Sequence, residues 1–167
     1  TTVDITEEDF LEDDCPMDLK DEVISLIDDD VYFPDYDYLG IVFTYVGCPY
    51  AGKGNIGKPL VDTDDGSIYL ATFLIDGVEN IDYAGNHELG HNFGLYHANY
   101  LECGITDVIG DIGEIEDGAD CENHEYGDYF DTMGTTYPKR GHYNTFNKEK
   151  IAWLEESNIL EVIPTSP

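Results

Sequence analysis

Apolar residues recur first at helical and then at strand spacing along this chain. Leu19, Val23, Ile24 and Ile27 stand three or four positions apart among acids and predict a helix over about residues 17–28. Upstream, Ile5, Phe10 and Leu11 surround Thr6-Glu7-Glu8-Asp9, which reads as a capped, acidic start to a shorter helix, interrupted by Pro16. Asp35-Tyr36-Asp37 reads as a loop. Tyr38 to Val46 is almost continuously apolar, β-branched or aromatic, and predicts a buried strand. Glycine and proline then mark 48–59 as a long connection. Ser67 to Ile75 predicts a second strand, ended by Asp76-Gly77. A helix follows over about 80–93, with Asn80 or Asp82 available as its cap. Tyr100 to Asp131 has little periodicity and reads as a loop. A last helix is predicted over about 148–156, capped by Asn147, with Ile151, Trp153 and Leu154 turned inward. No repeat and no break in composition divides the chain, so one domain over 1–167 is the economical reading.

The chemistry concentrates in one stretch, His87-Glu88-Leu89-Gly90-His91-Asn92-Phe93-Gly94-Leu95-Tyr96-His97. On a helix, His87 and His91 lie one turn apart on one face and can aim at a common ion. Imidazole nitrogens suit zinc better than calcium or magnesium, which prefer oxygen. Glu88 stands between them, placed to hold a zinc-bound water without binding the ion itself. Gly94 can end the helix in a left-handed conformation, so that the chain turns back and His97 supplies a third nitrogen. Three protein ligands leave a fourth position for water, the mark of a catalytic zinc site.

Charge and cysteines narrow the setting. Thirty-seven acidic residues face seven basic ones, for a formal net charge of −30. Seven basic residues cannot build a nucleic-acid or anionic-membrane surface. The acidity reads as a solvated surface in a salty medium, with calcium in acidic loops as the sharper alternative. Asp62-Thr63-Asp64-Asp65-Gly66 has its glycine misplaced for an EF-hand loop. The four cysteines allow two disulfides. Cys103–Cys121 is the favoured pair, closing a glycine-rich loop, with Cys15–Cys48 as the other bridge. Disulfides imply a secreted, extracellular protein. Thr1 in first place reads as a mature or trimmed form, and no apolar run is long enough to span a bilayer.

Beyond the histidines comes Asp131-Thr132-Met133-Gly134, preceded by Glu125-Tyr126-Gly127-Asp128. The long zinc motif followed by a methionine in a tight turn resembles the metzincin metalloproteases, and within that clan most resembles the gametolysin-like family. His142-Tyr143-Asn144, Trp153-Leu154 and the upstream Ala51-Gly52-Lys53-Gly54-Asn55-Ile56-Gly57 resemble segments of the same family, so the likeness covers about residues 37–155. It implies an α+β metzincin-type catalytic domain. An upper half, about 1–94, would hold a twisted, mixed sheet with an antiparallel edge strand and the active-site helix. An irregular lower half, about 95–167, would hold the Met-turn and a C-terminal helix. The edge strand, assigned to 67–75, would pair with an extended protein or peptide substrate.

The resemblance also implies that His87, His91 and His97 bind one catalytic zinc. Glu88 would be general base and then acid in peptide-bond hydrolysis, and Met133 the apolar floor beneath the ligands. Some members place a tyrosine two residues past the methionine. Position 135 here is Thr, which leaves Tyr137 and Tyr143 as candidate transition-state donors, ordinary packing being the commoner role for both. His124 and His142 read as ordinary histidines. The expected function is a zinc endopeptidase acting as a monomer. The alternative is a non-catalytic, metal-stabilised binding module.

Self-repulsion at this net charge predicts dependence on screening. The thermal midpoint should rise as salt increases from about 10 mM to about 500 mM. A melt indifferent to salt would contradict that reading of the acidity.

Overall fold

The first predicted helix is α1, Leu19–Ile27, in a computed structural model that describes Cys15 and residues 19–103, 121–135 and 141–160. The protein is a mixed α+β structure of small sheets and few helices. It divides into two compact units, Thr1–Tyr96 and His97–Pro167. The helix expected before Pro16 falls outside the described residues.

In the first unit, Leu19, Val23, Ile24 and Ile27 are all buried, as their spacing requires. They join Phe33, Ile41, Phe43, Val61, Leu70 and Leu74 in one apolar cluster. The central sheet has three strands, β1 (Tyr38–Phe43), β2 (Gly52–Gly54) and, after a hairpin, β5 (Ala71–Asp76). Their order is β1-β5-β2, with β1 parallel and β2 antiparallel to β5. The hairpin is β3 (Leu60–Thr63) with β4 (Gly66–Tyr69), turned by Asp64-Asp65.

Several expectations are corrected here. The strand expected to reach Val46 stops at Phe43, because the buried Asp76 carboxylate takes the Val46 and Cys48 N–H groups at 2.8 and 2.7 Å. Its burial alternates, with Ile41 and Phe43 inward and Val42 exposed, since only the face that carries Ile41 and Phe43 packs on the apolar cluster. The connection at 48–59 contains β2. The strand expected over 67–75 is two strands broken at Leu70, and its second part, β5, is the sheet's central strand. The antiparallel edge strand is therefore β2. Asp62–Gly66 runs from the end of β3 through the Asp64-Asp65 turn to the start of β4, and Asp62 Oδ1 accepts the Ser67 hydroxyl at 2.5 Å. Cys15 and Cys48 stand at disulfide distance, their Cα atoms 5.5 Å apart.

In the second unit, β6 (Tyr100–Cys103) pairs antiparallel with β7 (Cys121–His124), inside the stretch expected to be loop. The register sets the Cys103 backbone opposite Cys121, and residues 104–120 between them fall outside the described set. The last helix is α3, Thr145–Lys150. Asn144 caps it, accepting the Asn147 N–H at 2.9 Å, while the Asn147 side chain expected to cap donates to Asp131 instead. The helix ends early, at Lys150, with Ala152 just beyond it at φ +57, and Trp153 is 52% exposed rather than turned inward.

Candidate metal centre

β5 ends at Asp76, and after Gly77 the chain runs through a 3-10 turn, Val78–Asn80, and a π turn, Ile81–Gly85, into α2, Asn86–Asn92. Neither Asn80 nor Asp82 caps this helix. The Asn80 amide reaches back to the Asp76 carbonyl, and the start belongs to Gly77. A π turn alters the facing of the residues after it and is frequent at functional sites.

α2 ends as its glycine predicts. Gly94, at φ +87, donates to His91 O at 2.8 Å, and Leu95 donates to Gly90 O at 3.0 Å. This pair of bonds is a Schellman motif, with Leu95 fully buried beyond it. The same reversal brings the Leu95 carbonyl within 2.8 Å of His91 Nδ1, where it orients the ring.

His87, His91 and His97 each offer a nitrogen, and the three atoms lie within 4.8 Å of one another. Among the described residues they form the one group of three or more histidine, cysteine or acidic side chains able to hold a metal ion. The His87 and His91 rings meet edge to face, with centroids 4.9 Å apart. Three imidazoles with no carboxylate among them form a donor set for a borderline-soft ion such as zinc.

Glu88 is 6% exposed on the same helix. Burial pushes its carboxyl up from the usual range to about 7, and a hydrogen bond from the Gly54 backbone opposes that shift. Here β2 explains itself. A Cβ at Gly52 would stand 2.8 Å from Glu88 Cγ, and one at Gly54 would stand 2.9 Å from Glu88 O. The glycines of Gly52-Lys53-Gly54 let a strand backbone approach the helix at Glu88. Asn92, buried beside His91, locks that approach by donating to Asn55 O at 2.9 Å and Thr72 O at 3.0 Å. Gly57 adds a bond to His91 O at 2.8 Å. Sequence reasoning missed Asn92. Its signal was a polar residue beside His91, turned away from the ligand face.

In the second unit, His97 Nδ1 lies 2.6 Å from Glu125 Oε1, and its ring lies 3.8 Å from that of Tyr126. Met133 is fully buried in a turn closed by Gly134 N–H to Asp131 O at 3.0 Å. A Cβ at Gly134 would overlap the Asp128 carbonyl. The Asp131 carboxylate, with no exposure, accepts Met133 N–H at 2.5 Å, Asn144 N–H at 2.7 Å and the Asn147 amide at 2.8 Å. Tyr143 is buried beside Trp153, and burial first, then Asp131, pushes its hydroxyl up to about 12. Tyr137 falls outside the described residues. His124 lies 3.0 Å from Glu102 on the β6–β7 pair, and the His142 backbone bridges to Asp131. Among the described residues, no helix is long and apolar enough to cross a membrane.

Comparison with family models, with curated proteins and with solved structures finds no match to this chain.

Two outcomes test this geometry. Gly54→Ala should displace Glu88 by forcing β2 off α2, while the three histidines still bind metal. A thermal midpoint in G54A equal to that of the wild type, with metal content unchanged, would contradict the fit. The second test concerns pH in the chelator-treated protein. A carboxyl whose folded pKa is about 7 binds its proton more tightly folded than unfolded. The penalty of burying its charge is therefore absent below the unfolded value of about 4.5, grows as pH rises, and is complete above about 7. Glu88→Gln should remove it, giving a stability gain that grows by on the order of 2 kcal/mol between pH 4.5 and 8. Denaturant melts showing the same gain at both ends would count against a buried carboxyl.

Proposed function

We propose that this protein is a zinc-dependent endopeptidase of the metzincin kind, related to the gametolysin-like proteases. One observation carries the reading: three imidazoles converge within 4.8 Å around a helix whose intervening Glu88 is buried against a glycine strand. His87, His91 and His97 would hold the ion. When bound, zinc supplies Lewis-acid activation of water and polarisation of the scissile carbonyl.

Glu88 does the proton work. A carboxyl lifted toward neutrality is matched to taking a proton near physiological pH and giving it back. It accepts a proton from the attacking water as the new C–O bond forms. It returns that proton to the amine nitrogen as the C–N bond breaks. The Gly54 N–H keeps the carboxyl aimed during both transfers. The sheet ends at β2, and we place an extended peptide substrate along that edge, next to Glu88. Met133, buried in a turn whose shape Asp131 sets, contributes packing and no proton chemistry. The Cys15–Cys48 pair fits a secreted setting.

Glu88→Ala should lower casein cleavage by at least about a hundredfold, within the usual contribution of a general base, with one zinc still bound per chain. A chelator should silence the wild type, and added zinc should restore it. A wild type that binds zinc and cleaves nothing would instead support the metal-stabilised binding module.

A further inference from the structure

We propose that Glu125 is a positioning residue for the third metal ligand, holding His97 by Nδ1 so that Nε2 faces the ion. The inference rests on the metal-centre reading above and adds a residue to it. An imidazole has two nitrogens in different directions, and the hydrogen bond made by one decides which is offered to a metal. Glu125 Oε1 lies 2.6 Å from His97 Nδ1. The Tyr126 ring lies against the same imidazole, with centroids 3.8 Å apart and planes 34° apart. One turn of chain therefore grips His97 at its edge and on its face.

That turn is held firmly enough to act as a clamp. Tyr126 takes a left-handed φ of +60, which a non-glycine residue keeps only where the surroundings enforce it. The enforcing bonds surround it. Gly127 N–H donates to His124 O at 3.0 Å, and Tyr126 N–H to Asn99 Oδ1 at 3.2 Å. Asp128 N–H donates to Ala98 O at 3.1 Å, and Thr135 donates to Tyr126 O through both N–H and hydroxyl at 2.8 Å. Two of these bonds anchor on Ala98 and Asn99, directly after His97. A Cβ at Gly127 would overlap the Tyr100 ring, so the corner admits no side chain there.

His91 offers the comparison. Its Nδ1 faces a neutral acceptor, the Leu95 carbonyl, whereas His97 faces a carboxylate. A carboxylate partner makes the imidazole a stronger donor to a cation. Glu125 is 65% exposed, so solvent screens its charge and orientation is the larger part of its effect.

The test is a zinc titration of the full chain against a competing chelator dye, using wild type, E125A, E125Q and the exposed charge control E149Q. Cobalt-loaded samples report ligand geometry through their visible spectrum. E125A should bind zinc about tenfold to a hundredfold more weakly, the usual loss for such a partner. E125Q, which keeps an oxygen acceptor, should lose less, and E149Q should match wild type. The cobalt band should move in E125A while thermal melts of the chelated proteins coincide. Equal affinity and an unchanged cobalt spectrum in E125A would overturn the proposal, and so would an equal loss in E149Q. If E125A fails to fold, E125Q carries the same comparison. A wild type that binds no zinc would sink the metal centre itself, a result distinct from any of these.

Discussion

The approach of β2 to Glu88 constrains most of what the first unit does. A carboxyl out of water disfavours its charged form unless donors replace the solvent it loses. Here the replacement is a backbone N–H, and a backbone can come that close only where the strand lacks Cβ atoms at 52 and 54. The rest of the contact keeps that distance. The Asn92 amide bridges to Asn55 and Thr72, and Gly57 bonds to His91 O, so strand and helix are joined on two sides. A side chain at either glycine would meet Glu88 itself and force β2 away from it. The glycine strand and the ligand helix are thus one device.

Three carboxylates are buried among the described residues, and their surroundings differ. Asp76 accepts two N–H groups and shapes the segment after β1. Asp131 accepts three donors and shapes the methionine turn together with the start of α3. Both have their oxygens occupied by fixed backbone or amide donors, which suits a structural role. Burial lifts the Glu88 carboxyl to about 7, and a hydrogen bond from the Gly54 backbone opposes that shift. The hydrogen-bond supply around each carboxylate, and not the residue type, separates the two scaffold groups from the proposed proton carrier.

Features written in local spacing were legible from sequence. His87 and His91 share a face because four residues make about one turn, and Gly94 reverses the chain because a left-handed cap needs no partner far away. α1 was legible for the same reason. The rest depended on contacts distant along the chain. β2 is three residues with two glycines and has no periodicity to detect, and its purpose is visible only beside Glu88. Asn144 and Asn147 are equally good caps by composition. The choice between them was made by Asp131, which takes the Asn147 amide and the Asn144 N–H together. The run from Tyr38 to Val46 looked buried throughout, yet the oxygens of Asp76 end it at Phe43.

The three ligands are not equivalent, and this shapes how the centre must be supported. His87 and His91 inherit their direction from a helix, and His91 gains more from the carbonyl that the helix end turns toward it. His97 comes after the reversal and inherits nothing from α2, so its aim has to be set by neighbours, which the Glu125-Tyr126 corner provides. The acidic surface cannot do this work. A net charge of −30 raises the local concentration of cations according to their charge and does not tell one divalent ion from another. Preference for a nitrogen-seeking ion needs imidazoles held at fixed angles, because a cluster free to rotate would bind weakly whatever the surrounding field.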